Sequence, residues 1–135
     1  MKVRTCAVNF EDARGIIRDI FVGESKEHIT LITTKKDGVR GNHYHKVSQQ
    51  SDYLVSGKMR VLGQKIGESD IHDIIWNQGE VIDWDVNEVH EFIALEDSVF
   101  ITFVNGVRGG DNFEKDTFRV DVPLHELKVS QSSNR

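Results

Sequence analysis

The sequence is poor in cysteine, proline and long apolar runs, and each shortage excludes something. Its one cysteine, Cys6, has no partner for an intramolecular disulfide, so nothing points to an oxidising compartment and a cytoplasmic address is expected. With one proline and no Gly/Ser-rich stretch, no linker divides the 135 residues, which fit one domain. Nowhere do about 18 apolar residues run together, as a membrane span requires. The opening Met1–Gly15 also lacks the apolar centre of a signal peptide, so no membrane partner is expected. An excess of positive charge is missing too. The 17 Lys and Arg are interspersed among 22 Asp and Glu, for a net charge of −5, which leaves no broad basic surface for nucleic acid.

Hydrophobic residues make up 38% of the chain and charged residues 29%, a composition that folds unaided. Short runs rich in Val, Ile, Thr and Phe recur between turn-forming pairs such as Asp37-Gly38, Ser56-Gly57, Gln78-Gly79 and Glu96-Asp97. This pattern predicts strands at 3–8, 16–21, 28–35, 41–45, 52–56, 59–66, 71–75, 81–84, 89–95, 99–104 and 117–122. Only Leu124–Val129 suggests a helical turn. So many short strands in so short a chain point to an all-β fold, a double-sheet jelly-roll barrel that leaves few open edges. The domain is expected to span residues 1–128, with the polar segment 129–135 as a flexible tail.

Two segments carry the chemistry. His43 and His45 are two apart, so on a strand both imidazoles leave the same face and Tyr44 leaves the other. Alone, the pair fits an exposed strand face equally well. His90 shares a strand face with Phe92 and Ala94, just after the tight turn at Asn87-Glu88. By itself it fits a half-buried core histidine.

Together the two segments resemble the two motifs of the cupin superfamily, G-x5-H-x-H-x3–4-E-x6-G and G-x5-P-x-G-x2-H-x3-N. His43, His45 and Gly57 occupy the first motif's positions, with Gln50 where the family has glutamate. In the second, His90 is the histidine, while Trp84, Val86 and Ala94 replace the proline, glycine and asparagine. The resemblance implies a double-stranded β-helix that holds one divalent ion (Zn, Fe, Ni or Mn) on His43, His45, Gln50 and His90. Exchanging the glutamate for a neutral amide leaves such a site more positively charged.

A narrower likeness is to the sugar-nucleotide epimerases and ketoisomerases of deoxysugar and capsule biosynthesis. The stretch Asp12-Ala-Arg14-Gly15 resembles the D-x-R-G signature of the 3,5-epimerases. Arg40-Gly41-Asn42-His43-Tyr44-His45-Lys46 resembles the R-G-x-H-x-H-K segment of the 3,4-ketoisomerases, and Asp111–Arg119 resembles a shared closing strand. This likeness implies a nucleoside-diphosphate sugar as substrate, His43 as the base that removes a proton alpha to a ketone, and Asp12 or another carboxylate to orient it. Arg14, Arg40 and Lys46 are then expected to bind substrate, the arginines gripping the diphosphate. The late-strand tyrosine that donates a proton in the epimerases is replaced within Val99–Asn105, which leaves Tyr53 or a metal-bound water as the expected donor. A homodimer is implied, as is usual for small cupins. A metal-dependent oxygenase and a non-catalytic small-molecule-binding cupin remain as alternative functions. Trp76 and Trp84 are read as packing residues, and His28, His72 and His125 as surface residues.

Overall fold

A computed structural model describes residues 1–107 and 115–133. The elements in chain order are β1 (Lys2–Thr5), β2 (Phe10–Asp12), β3 (Gly15–Ile17), β4 (His28–Thr34), β5 (Val39–Tyr44) and β6 (Gln49–Ser56). There follow β7 (Lys58–Lys65), β8 (His72–Asn77), β9 (Glu80–Asp83), β10 (Glu88–Ala94), β11 (Ser98–Asn105), β12 (Phe118–Arg119) and α1 (Leu124–Ser133). Two antiparallel five-stranded sheets, ordered β1-β9-β6-β11-β4 and β12-β5-β10-β7-β8, face each other as the expected jelly roll.

Eleven of the twelve strands overlap a predicted one, because alternation of apolar and polar residues survives along most of them. The exception is β2, three exposed residues that pair only with β3 in a hairpin outside both sheets. The helical turn expected at Leu124–Val129 is longer than expected. Helix α1 covers ten residues, Leu124–Ser133. Among the described residues no helix is long and apolar enough to cross a membrane.

Between the sheets lies a core of Leu54, Met59, Val61, Trp76, Ile82, Trp84, Phe92, Ala94 and Phe100. Both tryptophans are packing residues, as expected. Trp76 meets Phe100 edge-on at 5.4 Å, and Phe92 stacks on Phe100 at 5.1 Å. A second cluster forms on the outer face of the β5–β10–β7 wall, where α1 closes over Leu62, Ile71, Val89 and Leu124. Tyr44, Ile93, Val120 and Leu127 pack against it. Strand β10 is therefore covered on both faces. Its inner residues His90, Phe92 and Ala94 and its outer residues Val89 and Glu91 are all buried.

One residue, Gly57, carries the chain from β6 in one sheet to β7 in the other. Its φ of 95° lies in the left-handed region, and a Cβ there would sit 2.6 Å from the Asp97 carbonyl oxygen and 2.7 Å from Ser98 Cα. Neither backbone atom can yield cheaply. Gly57→Ala is expected to destabilise the fold by ~3 kcal/mol, through φ strain and overpacking together. Urea denaturation checks this, and a loss below about 0.5 kcal/mol contradicts the strained corner.

Candidate functional site

The site begins with a break in strand register. His90 faces His43 across the β10–β5 ladder, but the next residue, Glu91, faces Gly41, so Asn42 is an extra residue in β5. Gly41 and Asn42 take φ of 93° and 58°, the left-handed conformations that such a bulge needs. A Cβ on Gly41 would collide with the His90 carbonyl oxygen. The bulge changes which side chains share a face. Arg40 and His43 are three apart, and a regular strand would send them to opposite sides. Here Arg40 pairs with the inward-facing Phe92 and His43 with the inward-facing His90, so both line one cavity.

That cavity has a volume of about 400 Å³. Apolar Ile32, Val39, Phe92 and Phe100 line it together with His43, His90, Gln50, Thr102, Arg40 and Arg119. His43 and His90 line it with the buried His45 ring close by, the ring centroids lying 4.7 Å apart for His43 and His90 and 5.1 Å for the other two pairs. Each ring brings a nitrogen within 4.8 Å of the others. His45 and His90 are buried and His43 is half-buried toward the cavity.

A chain of hydrogen bonds runs behind these rings. His45 Nδ1 meets the Asp116 carbonyl oxygen at 2.7 Å, and its Nε2 meets Gln50 Oε1 at 3.1 Å. The Gln50 amide nitrogen donates to both carboxylate oxygens of Asp52, at 3.1 and 3.0 Å, which fixes the orientation of the amide. Asp52 is fully buried and also accepts from Trp84 Nε1 (2.8 Å) and Thr102 Oγ1 (2.6 Å). A buried carboxylate is tolerable only with such donors around it. Gln50 also borders a second cavity of about 670 Å³, lined on its far side by Arg4, Cys6, Phe21 and Lys26. The smaller cavity is the candidate site, because the His43 and His90 imidazoles line it.

Asp116 closes the turn between β5 and β6. Its carboxylate accepts the backbone N–H groups of Lys46 and Val47, each at 3.0 Å, and of Ser48 at 2.7 Å. Burial acts to raise the Asp116 carboxyl, but these N–H groups outweigh it and hold it below the usual carboxylate range.

Of the residues expected here, His43, His45, Gln50, His90 and Arg40 are brought together. The guanidinium of Arg40 is held on the rim by Thr34 Oγ1 (2.9 Å) and the Thr33 carbonyl oxygen (2.8 Å). Four others are elsewhere. Tyr53 is out of phase with the inward-facing Gln50, Asp52 and Leu54, and its hydroxyl accepts from Arg18 outside the barrel, so it is not the proton donor of this cavity. Asp12 and Arg14 lie on the outlying β2–β3 hairpin. There the Arg14 guanidinium donates to Asp12 at 2.6 Å and holds that carboxyl below its usual range. Within its own chain Asp12 is therefore paired with Arg14 rather than with His43. Lys46 reaches out over the Phe118 ring at 4.1 Å rather than into the cavity.

Tyr44 faces outward, as alternation requires, and stacks on Phe118 at 5.5 Å. His125 is not a simple surface residue, because it pairs with the buried Glu91 at 2.8 Å. Arg119, Thr102 and Asp116 were missed. Arg119 sits beside His43 through the β12–β5 pairing, but the start of its segment, residues 108–114, lies outside the described residues.

Because the Asp116 carboxyl is depressed in the folded state, its contribution is present above the ordinary carboxylate pKa and is lost as pH falls through the folded value. Asp116→Asn should lower stability at pH 7 by about 2 kcal/mol, the scale of hydrogen bonds to a charged acceptor. The gap between variant and wild type should begin to narrow as pH falls below the ordinary carboxylate pKa and close only below the depressed folded value, where the carboxyl is protonated in both states. A gap that persists unchanged at pH 2.5 would mean that charge is not what holds the turn.

A scan against protein-family models matches none, and a search of curated proteins finds no match. Solved structures do resemble the chain. A 3,4-ketoisomerase from Helicobacter canadensis superposes with a TM-score of 0.75 at 19% identity, over 93% of this chain and 92% of that one. A dTDP-6-deoxy-D-glucose-3,5-epimerase from Legionella pneumophila, in complex with dTDP-4-keto-L-rhamnose, gives 0.75 at 12% identity, over 93% of this chain and 74% of that one. The capsular polysaccharide assembling protein CapF from Staphylococcus aureus gives 0.63 at 23% identity over 88% of this chain, which spans only 33% of that protein.

These resemblances correct the expectation of a divalent metal cofactor. Epimerases and ketoisomerases of this type are typically metal-independent. The donor set fits an ion poorly as well: it lacks the family's carboxylate, and Gln50 Oε1 and both nitrogens of His45 are engaged in hydrogen bonds within the protein. What the superpositions establish is architecture: the chain has the cupin jelly-roll fold found in sugar-nucleotide epimerases and ketoisomerases.

Proposed function

We propose that the chain is an isomerase or epimerase acting on a nucleotide-linked keto sugar, in deoxysugar or polysaccharide biosynthesis. The observation that carries the reading is the cavity in which His43 and His90 lie beneath the two rim arginines, Arg40 and Arg119. An acidic protein needs local arginines to hold a diphosphate, and guanidinium groups match its oxygens in forked pairs. Two of the five N–H donors of Arg40 are spent on Thr33 and Thr34, which fixes the plane of the remaining ones. The apolar wall of Phe92, Phe100 and Ile32 excludes water from a sugar ring seated below.

His43 then removes the proton from the carbon alpha to the ketone. The electron pair moves onto the carbonyl oxygen to give an enediolate, and His43 returns the proton to a neighbouring carbon. His90, with its ring 4.7 Å from that of His43, is placed to exchange a proton with the sugar oxygens.

Among such reactions, the tyrosine positions favour ketoisomerisation over double epimerisation. Inverting a carbon requires a proton to arrive from the face opposite the base. A 1,2 shift of the ketone can use one base on one face. The chain's two tyrosines, Tyr44 and Tyr53, both point out of the barrel, so neither supplies an opposite-face donor to this cavity.

Incubation with dTDP-4-keto-6-deoxyglucose in deuterated water should place deuterium beside the ketone, and His43→Gln should slow exchange by about 10²–10⁴-fold. Absence of exchange with tight nucleotide binding would favour a non-catalytic binding protein instead. Arg14, far from the cavity of its own chain, serves a substrate only in a homodimer, and we include that assembly in the reading. Its support is the β2–β3 hairpin, which exposes Phe10, Ile16 and Ile17 and pairs with no barrel strand. An isolated two-stranded hairpin is marginal in water. Sedimentation should give a dimer that Ile17→Ser weakens, and a monomer at micromolar concentration would remove Arg14 from the site.

A further inference from the structure

Glu91 is a fully buried carboxylate on the outer side of the wall that carries His43, set among Leu62, Val89, Ile93 and Leu124. An apolar residue would suit that cluster better, since a charge taken out of water is costly unless donors surround it. The donors are specific. Asn42 Nδ2 donates to Glu91 Oε2 at 2.6 Å, His125 Nδ1 meets the same oxygen at 2.8 Å, and the His125 backbone N–H donates to Oε1 at 3.0 Å.

Asn42 is the extra residue of the β5 bulge, and it is tied at three atoms. Besides the bond to Glu91, its Oδ1 accepts the Leu124 N–H at 3.0 Å, and its carbonyl oxygen accepts the Val120 N–H at 3.0 Å. The first N–H groups of α1 are thus capped from the bulge and from Glu91 rather than by a residue of the helix's own approach. A left-handed non-glycine residue persists only where its surroundings over-determine it, and here they do.

We propose that Glu91 is a positioning residue for the cavity. Acting through Asn42 from outside the barrel, it holds the bulge that sends Arg40 and His43 to the same face. The proposal rests on the reading of His43 as the base, but its first readout does not. If Glu91 merely pins α1, then loosening the helix and loosening the bulge have the same consequence for His43. If it positions the bulge, only the second moves His43.

The experiment compares Glu91→Gln, Asn42→Asp, Asn42→Gly and the double variant Glu91→Gln/Asn42→Asp with His125→Ala. Glu91→Gln leaves one acceptor for two N–H donors, so with its oxygen kept on the His125 N–H its amide nitrogen opposes that of Asn42, and Asn42→Asp sets two carboxylates together. The double variant exchanges donor and acceptor across the same contact and should restore it. Asn42→Gly removes the side chain while allowing the positive φ, so it keeps the test alive where a charged variant fails to fold.

Each protein is followed by its melting temperature, by the imidazole nitrogen chemical shifts of His43, and by dTDP affinity. With a 4-keto sugar nucleotide, kcat and KM are measured as well. The expected result is displaced His43 signals and weaker dTDP binding in the three single bulge variants, with kcat about 100-fold lower, and recovery in the double variant. In His125→Ala the melting temperature falls while the His43 signals stay in place. Unmoved His43 signals in folded Asn42→Gly and Glu91→Gln, or no recovery in the double variant, overturn the proposal. Displaced signals in a protein whose wild type neither binds dTDP nor exchanges deuterium leave the positioning role standing and remove the isomerase reading instead.

Discussion

One inserted residue governs the geometry of the cavity. Side chains of a regular strand alternate, so a strand can offer a pocket only every second residue. By placing Asn42 outside the count, β5 offers Arg40 and His43 to one interior, with His45 just past its end packed beside His43. Two left-handed residues in succession are unfavourable for the backbone, and the interactions around them absorb that cost. Gly41 permits the close approach of the His90 carbonyl, and Asn42 is bonded on its outer side to β10 and to the start of α1. The C-terminal helix, which touches no part of the cavity, is in this way continuous with its wall.

The interior faces the opposite difficulty, since it must keep polar groups in a dry barrel. It does so with a connected line: the Asp116 carbonyl, His45, Gln50, Asp52, and then Trp84 and Thr102. Polar groups linked in this way hold each other's orientation, and a partly broken line costs more than an apolar substitute. Gln50 is central to it. A glutamate at this position would set a second carboxylate against that of Asp52, whereas the amide donates to it. The pair Gln50 and Asp52 is better understood as one polar unit than as a weakened ligand.

Much of the architecture was legible because strands announce themselves by alternation and turns by Gly and Asp. Period-two reasoning placed His43 and His45 on one face and Tyr44 on the other, and spacing alone also separates Tyr53 from Gln50. The resemblance to epimerases had drawn Tyr53 into the site against that spacing. What alternation could not reveal was its own interruption at Asn42, and with it the inward turn of Arg40. Three-residue β2 lies in a polar stretch with too few positions for a period to show. Asp116 and Arg119 carry no local pattern, since their roles come from the meeting of β12 with β5 and with the turn after it. His125 looked like a surface residue for the same reason: its partner Glu91 is 34 positions away.

Gln50 borders both the histidine-lined cavity and the larger one beside Arg4 and Phe21. It acts as a bulkhead between two chambers, braced by Asp52 on one side and His45 on the other. Trp84 lines the larger chamber and His90 and Thr102 the smaller, so the partition is shared among several side chains, and a shorter residue at position 50 would thin it and deepen both chambers.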